Sequence, residues 1–277
     1  MENTITYQKW LELQNYKYRS IQTLISLKNQ LENYLNEQSL ELSTETLKHF
    51  ASWASNQGYS LVYQRQLYWG VWVYCRYLKQ VQGLKIQAYL HKIKPIDNRR
   101  KALNQSQLKT IATWLKKEQK NYWLNQALWA LFYGCGLRRA EALNLELKDL
   151  NISQKLLSVA TIKGGRKRFL PLSKKQLEAL VNYINEERCT PKESYQNKLF
   201  IGKRGGNAAH LLAKQLHQWQ EGTGLGAVLC WHVLRHSIAT ELVQKGMKLE
   251  EVSRFLGHSS IESTTRYLHY NPISYEL

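Results

Sequence analysis

The chain has 277 residues, 43% of them hydrophobic and 22% charged, a balance that suits one large or two compact globular domains. Thirty-nine Lys and Arg against 21 Asp and Glu give a formal charge of +18, which points to a polyanionic partner, nucleic acid above all; the plain alternative is a generally basic, soluble surface. Nothing in the sequence reads as a signal peptide or as a run of about 18 apolar residues, and Cys75, Cys135, Cys189 and Cys230 show no CxxC spacing, so secretion, membrane insertion and zinc or redox motifs are not expected and a reducing cytoplasm is.

Residues 1–92 read as helical throughout. Leu24, Leu27, Leu31 and Leu35 recur at spacings of three and four, the stripe of an amphipathic helix. Ser43, followed by Glu45 and Thr46, suits the start of a helix running to about Asn56, with Gly58 as its end. A further helix over Val62 to Val81 carries Tyr63, Tyr68, Trp69, Trp72, Tyr74 and Tyr77; most of this aromatic set is expected in a core, with base stacking as the alternative. Residues 93–103 form a short basic linker, in which Pro95 disfavours helix at Lys94 and Arg99, Arg100 and Lys101 are candidate DNA contacts.

Beyond the linker, Asn104 or Ser106 can cap a helix to about Lys120, and Trp123 to Tyr133 reads as a buried helix. Leu156 to Ile162 and Arg168 to Leu172 read as two short strands. Lys163, Gly164 and Gly165 join them as a hairpin, since paired glycines supply the positive φ of tight turns. Lys174 to Asn185 returns to helix, Gly202 to Gly206 is a turn, and helices dominate to the end with breaks near Gly222 to Gly226, Gly246 and Gly257. The charge is uneven: residues 1–92 hold 10 basic and 6 acidic side chains, a net of +4, leaving +14 for residues 93–277.

Four stretches of this second part carry chemistry. In GLRRAEALNL a glycine turn precedes a helix in which Leu137, Ala140, Leu143 and Leu145 can face inward. Arg138 then sits near the helix start, where free N–H groups favour an anion and a guanidinium can grip two phosphate oxygens; the competing role is a surface pair with Glu141. Lys163 at the hairpin tip can reach a DNA groove and protonate a leaving oxygen, or simply be solvated, while Arg166, Lys167 and Arg168 (with Arg139) could hold the backbone. His232 and Arg235 are three apart and so share a helix face, a phosphate clamp with a proton shuttle, supported by His236. The His232 and His236 pair could also be read as metal ligands, but Val233 stands where the zinc-protease pattern needs glutamate. Last, His258 follows Gly257, itself a plain helix stop, and Tyr267 lies nine residues on. Clustered cations favour a phenolate and allow attack on phosphorus; Tyr270 and Tyr275 compete for that role on local grounds.

Taken in order, GLRRAEAL, IKGGRKRFLPL, HVLRHSIAT and LGHSSIESTTRYLHY resemble the tyrosine recombinase (phage integrase) family, of the simple two-domain Xer-like kind. The resemblance assigns the family's catalytic arginine, hairpin lysine, His-x-x-Arg, later histidine and nucleophile to Arg138, Lys163, His232 with Arg235, His258 and Tyr267. Glu141 matches the acidic residue that accompanies the first arginine. It spans about 130 residues of the second part.

What the resemblance implies is a mainly α protein: a helical, SAM-like core-binding bundle over 1–92 and an α-rich catalytic domain with a small antiparallel sheet over 104–277. It further implies a clamp around duplex DNA bearing inverted repeats, a 3′-phosphotyrosyl intermediate, and strand exchange through a Holliday junction in a tetramer on two sites, with neither cofactor nor metal. A silent DNA-binding accessory protein on the same scaffold and a type IB topoisomerase-like enzyme are the alternatives. Only ten residues follow Tyr267, so a full swapped C-terminal helix is not expected, nor is an extra arm-binding domain.

Overall fold

The computed structural model describes residues 5–88, 101–160 and 167–257, and the chain divides into two compact units, Met1–Asn98 and Arg99–Leu277.

Among its described residues the first unit has four helices, α1 (Tyr7–Leu13), α2 (Tyr18–Glu37), α3 (Thr44–Asn56) and α4 (Leu61–Val81). All four leucines of the predicted stripe on α2 are buried. Ser43 caps α3 in a reciprocal box: its Oγ accepts from the Thr46 N–H, and the Thr46 hydroxyl accepts from the Ser43 N–H, which satisfies two donors that a helix start leaves open. The aromatic set on α4 splits. Tyr68 and Tyr77 are buried and Tyr63 and Tyr74 pack at the core margin, whereas Trp69 and Trp72 stand out at 42% and 47% exposure. They lie one turn apart on the outer face, and Arg76 crosses the Trp72 ring at 5.8 Å.

The second unit opens with α5 (Gln105–Lys117). Asn104, of the two candidate caps, accepts from the Gln107 N–H at 2.8 Å, and the helix stops at Lys117, short of the expected Lys120. Next come α6 (Tyr122–Trp129), which runs into a π-helical turn over Ala130–Gly134, and the short α7 (Arg139–Asn144). Three strands form an antiparallel sheet in the order β1 (Leu150–Asn151), β2 (Leu156–Val159) and β3 (Arg168–Pro171). In β2 and β3, Val159 faces Arg168 and Leu157 faces Leu170 on the buried side, while Ser158 and Phe169 pair on the outer side. Among the described residues there follow α8 (Lys174–Asn182), α9 (Ala209–Thr223), α10 (Trp231–Gln244) and α11 (Leu249–Leu256).

One apolar core joins α5 to α10 and the sheet, and a smaller buried cluster of Ala239, Val243, Val252 and Leu256 packs α11 on α10. The Phe132 and Trp231 rings stack at 4.2 Å between centroids, and Trp219 meets Trp231 edge-on at 5.3 Å. The buried Asn125 accepts through Oδ1 from both Gln215 Nε2 and Trp219 Nε1 at 2.7 Å, so a polar group sits in the core with its partners supplied. The fold is therefore mainly α with a small antiparallel sheet, as the sequence implied. Among the described residues no helix is long and apolar enough to cross a membrane.

Candidate active site

The turn that presents Arg138 is made by the π-helical end of α6. Gly136 adopts φ +59, a left-handed value that costs a side-chain-bearing residue roughly 1–2 kcal/mol. A Cβ there would also lie 2.9 Å from Leu256 Cδ2. The chain thus turns tightly against the end of α11, buries Leu137 and releases Arg138 as the N-cap of α7. Leu145 is buried and Leu143 packs on the core, but Ala140 is exposed and Glu141 and Ala142 are buried instead, so the inward face of α7 is rotated from the one the sequence suggested.

Glu141, one turn into α7, is the centre of the site. Its side chain is fully buried. Oε2 accepts from the Arg138 backbone N–H at 2.8 Å, and Oε1 accepts from Arg138 Nη1 at 2.8 Å. Arg168 donates through Nη1 to Oε1 at 3.0 Å and through Nη2 to Oε2 at 2.9 Å. Arg235 Nη1 lies 3.7 Å from Oε2. Three guanidiniums around one carboxylate leave an excess of two positive charges. Burial pushes the Glu141 carboxyl up, but the Arg168 hydrogen bonds and charge, the Arg138 N–H and the Arg235 charge outweigh it, so the group is held below the usual carboxylate range.

The two arginines predicted from separate stretches meet at the C-terminal end of α11. Arg235, on α10 and only 2% exposed, donates through Nη2 to the Leu256 carbonyl at 2.6 Å and through Nη1 to the Gly136 carbonyl. Arg138 Nη1 reaches the Leu256 carbonyl at 3.5 Å and that of Gly257 at 3.2 Å. Last-turn carbonyls are the negative end of a helix and attract cations. Gly257 ends α11 with φ +64. Arg138 is half-exposed, and it is the guanidinium of this group that solvent or a ligand can meet. His232 is exposed at the start of α10 and His236 is half-buried. Arg235 and His232, three apart on α10, thus lie at different depths, the arginine buried and the imidazole at the surface.

Of the residues expected to touch DNA, Lys101, Arg139 and Lys167 are exposed, and Arg139 also donates to the Ala209 carbonyl at 3.0 Å. Arg168 departs from the expectation. It is 9% exposed and spends both terminal nitrogens on Glu141, because alternation along β3 turns it inward with Leu170. Arg99, Arg100, Lys163, Arg166, His258 and Tyr267 lie outside the described residues. Among the described residues no three His, Cys, Asp or Glu side chains are grouped to hold a metal ion.

The sequence signature of the phage integrase family matches residues 101–273. The chain belongs to that family. Similar curated proteins include the tyrosine recombinase XerC of Alcanivorax borkumensis, 38% identical over 146 residues that cover 52% of this chain and 47% of that protein. A tyrosine recombinase of Pseudothermotoga lettingae is 31% identical over 164 residues, 59% of this chain and 54% of that one. This phage integrase family chain therefore spans about half the length of the curated relatives it matches. In fold it is similar to the Tn1549 transposon integrase, solved in complex with a circular intermediate DNA (TM-score 0.74, 16% identity, 94% of this chain and 93% of that one). It is also similar to the XerH site-specific recombinase bound to its difH substrate (TM-score 0.73, 21% identity, 95% and 81%).

Proposed function

We propose that this integrase-family chain is a site-specific DNA recombinase that cuts and rejoins duplex DNA through a covalent tyrosine intermediate. The observation that carries the reading is the meeting of Arg138 and Arg235 around Glu141 and the Leu256 carbonyl. Side chains 97 positions apart, 235 less 138, surround one point, two residues before His258, which the resemblance assigns as the family's later histidine.

In this reading Tyr267 attacks the scissile phosphorus, forming a 3′-phosphotyrosyl bond and freeing a 5′ hydroxyl whose proton comes from Lys163. Arg138, with Arg235 behind it, stabilises the added charge on the equatorial oxygens; His232 and His258 hold and move protons at the phosphate. Attack by the freed hydroxyl of a partner strand reverses the step, so bond energy is conserved. Residues 1–92 grip the core site and residues 104–277 cut it. Two protomers on each inverted-repeat site assemble with two more on a second site and exchange strands through a Holliday junction, acting on cytoplasmic DNA.

The test is a nicked suicide duplex carrying the inverted repeats that flank the gene. Wild-type protein should form a covalent adduct that survives denaturation. Tyr267→Phe should abolish the adduct and still shift the DNA; an undiminished adduct in that variant would move the nucleophile, with Tyr270 first in line. Arg138→Ala should slow adduct formation by about 10² to 10³. Specific binding with no adduct would favour a silent accessory protein, and relaxation of supercoils without sequence preference a topoisomerase.

A further inference from the structure

Arg168 is a basic residue that the recombinase reading leaves without a task. It lies in the strand that follows the lysine hairpin, where a basic side chain invites assignment to DNA. Three observations give it another role. Both its terminal nitrogens bind the two oxygens of Glu141. Its side chain is more than nine-tenths buried, and its Nε has no hydrogen-bond partner among the described residues. Finally, it lies so close beneath Gly257 that a Cβ on that glycine would approach its Nη1 to 2.7 Å and its Cδ to 3.1 Å. One planar guanidinium therefore joins β3, α7 and the turn after α11.

We propose that Arg168 is a positioning residue: through Glu141 it sets the Arg138 and Arg235 pair, and through Gly257 it ties that pair to β3, without touching DNA. The inference rests on the recombinase reading for its catalytic consequence. The physical argument concerns where the Glu141 charge goes. A buried carboxylate with two oxygens and only Arg138 and Arg235 beside it would be free to draw both of them in. The fork of Arg168 occupies both oxygens in a fixed plane. Glu141 then holds the Arg138 guanidinium by Nη1 alone and leaves its remainder toward solvent. Arg168 also restores the positive charge that Glu141 removes. A lysine could supply the charge but not the two-point contact.

The experiment compares Arg168→Gln, Arg168→Lys, Glu141→Gln and the double variant Glu141→Gln with Arg168→Gln on the nicked duplex, each first checked for a cooperative melt. Arg168→Gln should slow single-turnover adduct formation about 100-fold, the scale of a displaced catalytic group, and Arg168→Lys should recover part of that loss. Because Arg168 acts through Glu141, the double variant should be no slower than the slower single variant. Affinity for intact duplex should keep its salt slope, whereas a lost phosphate contact would reduce that slope by about one. Multiplying effects in the double variant, or a reduced slope, would overturn the proposal. A wild-type protein that forms no adduct would instead sink the recombinase reading. The positioning claim is then judged by the arginine side-chain N–H resonance of Arg235, identified by its loss in Arg235→Lys. That signal should shift or broaden in Arg168→Gln and in Arg168→Lys; if it stays in place in both, Arg168 positions nothing.

Discussion

Replacing Glu141 should damage the fold of the second unit more than any surface change near the site. The carboxylate is fully buried, accepts four hydrogen bonds and faces guanidiniums that are 9% and 2% exposed. Glu141→Ala leaves Arg168 and Arg235 buried against each other with the intervening charge gone. Breaking a buried pair from one side costs roughly 3–5 kcal/mol, a large part of the ~5–15 kcal/mol that holds a domain together. Glu141→Gln keeps the volume and one accepting oxygen, so about half that loss is expected. With a urea m-value near ~3 kcal/mol/M for a unit of this size, the alanine variant should melt about 1–2 M earlier by far-ultraviolet circular dichroism. The pH dependence has a defined sign. The native carboxyl is held below its unfolded value of about 4.3, so its stabilisation is complete above that pH and is lost as pH falls through the lower folded value. The gap between wild type and Glu141→Gln should therefore be constant near neutrality and narrow below about pH 4. An alanine variant that melts with wild type, or a gap indifferent to acid, would show that the three arginines do not depend on this charge.

Four further outcomes follow from the geometry. Gly257→Ala places a side chain at φ +64 against Arg168, so a loss of at least roughly 1–2 kcal/mol is expected from the backbone alone, read as a lower melting temperature, together with slower adduct formation. Phe132→Ala removes the ring stacked on Trp231 in the fully buried core and should cost about 3–5 kcal/mol in urea unfolding. In native protein at mildly alkaline pH, a maleimide should label Cys189 and Cys230 before Cys75 and Cys135, since burial pushes the last two thiols up to about 11 and about 12, slightly offset at Cys135 by Arg168; early modification of Cys135 would contradict its place in the core. If the chain clamps duplex DNA at six to ten phosphates, affinity should fall about 10³ to 10⁵ between about 50 and 200 mM salt, and a flat response in a gel-shift titration would argue against a clamp.

Local signals in the sequence were the readable ones. Ser43, Gly58, Asn104 and Gly257 mark helix ends because a cap or a left-handed turn is decided by one residue and its near neighbours. The β2 and β3 hairpin was legible from two β-leaning runs around paired glycines, and the Arg138 with Arg235 pairing only through the family pattern. The π-helical turns at Ala130–Gly134 and Tyr183–Glu187 were not foreseen, since one extra residue in a turn leaves the apolar spacing nearly unchanged. The two-residue strand β1 is too short to carry an alternation. The inward turn of Arg168 was not foreseen although a clue was present. It is in phase with Leu170 along a strand of period two, and Phe169 is in the opposite phase, so one of Arg168 and Phe169 had to face inward. Hydrophobicity favours the phenylalanine. The buried Glu141 decides for the arginine, and Phe169 is left 65% exposed. A glutamate in the apolar helix start at 137–145 was itself a sign that a cation must come from elsewhere in the chain.

If an anion binds beside Arg138, it meets arginines that are already partly spent on protein groups. A free arginine carries roughly 2 kcal/mol of side-chain entropy, and a guanidinium that must be ordered when the phosphate arrives stabilises the transition state by that much less. Here the ordering is done during folding. Arg235 is fixed by the carbonyls of Gly136 and Leu256, Arg138 by Glu141 and the end of α11, and Glu141 by Arg168. Each anchor is a backbone group or a buried charge that cannot move without unfolding part of the unit. An anion entering beside Arg138 would then find positive charge already oriented, the preorganisation on which electrostatic stabilisation depends. The cost is concentrated in Gly136 and Gly257, two left-handed positions where a side chain would meet Leu256 in the first case and the Arg168 guanidinium in the second.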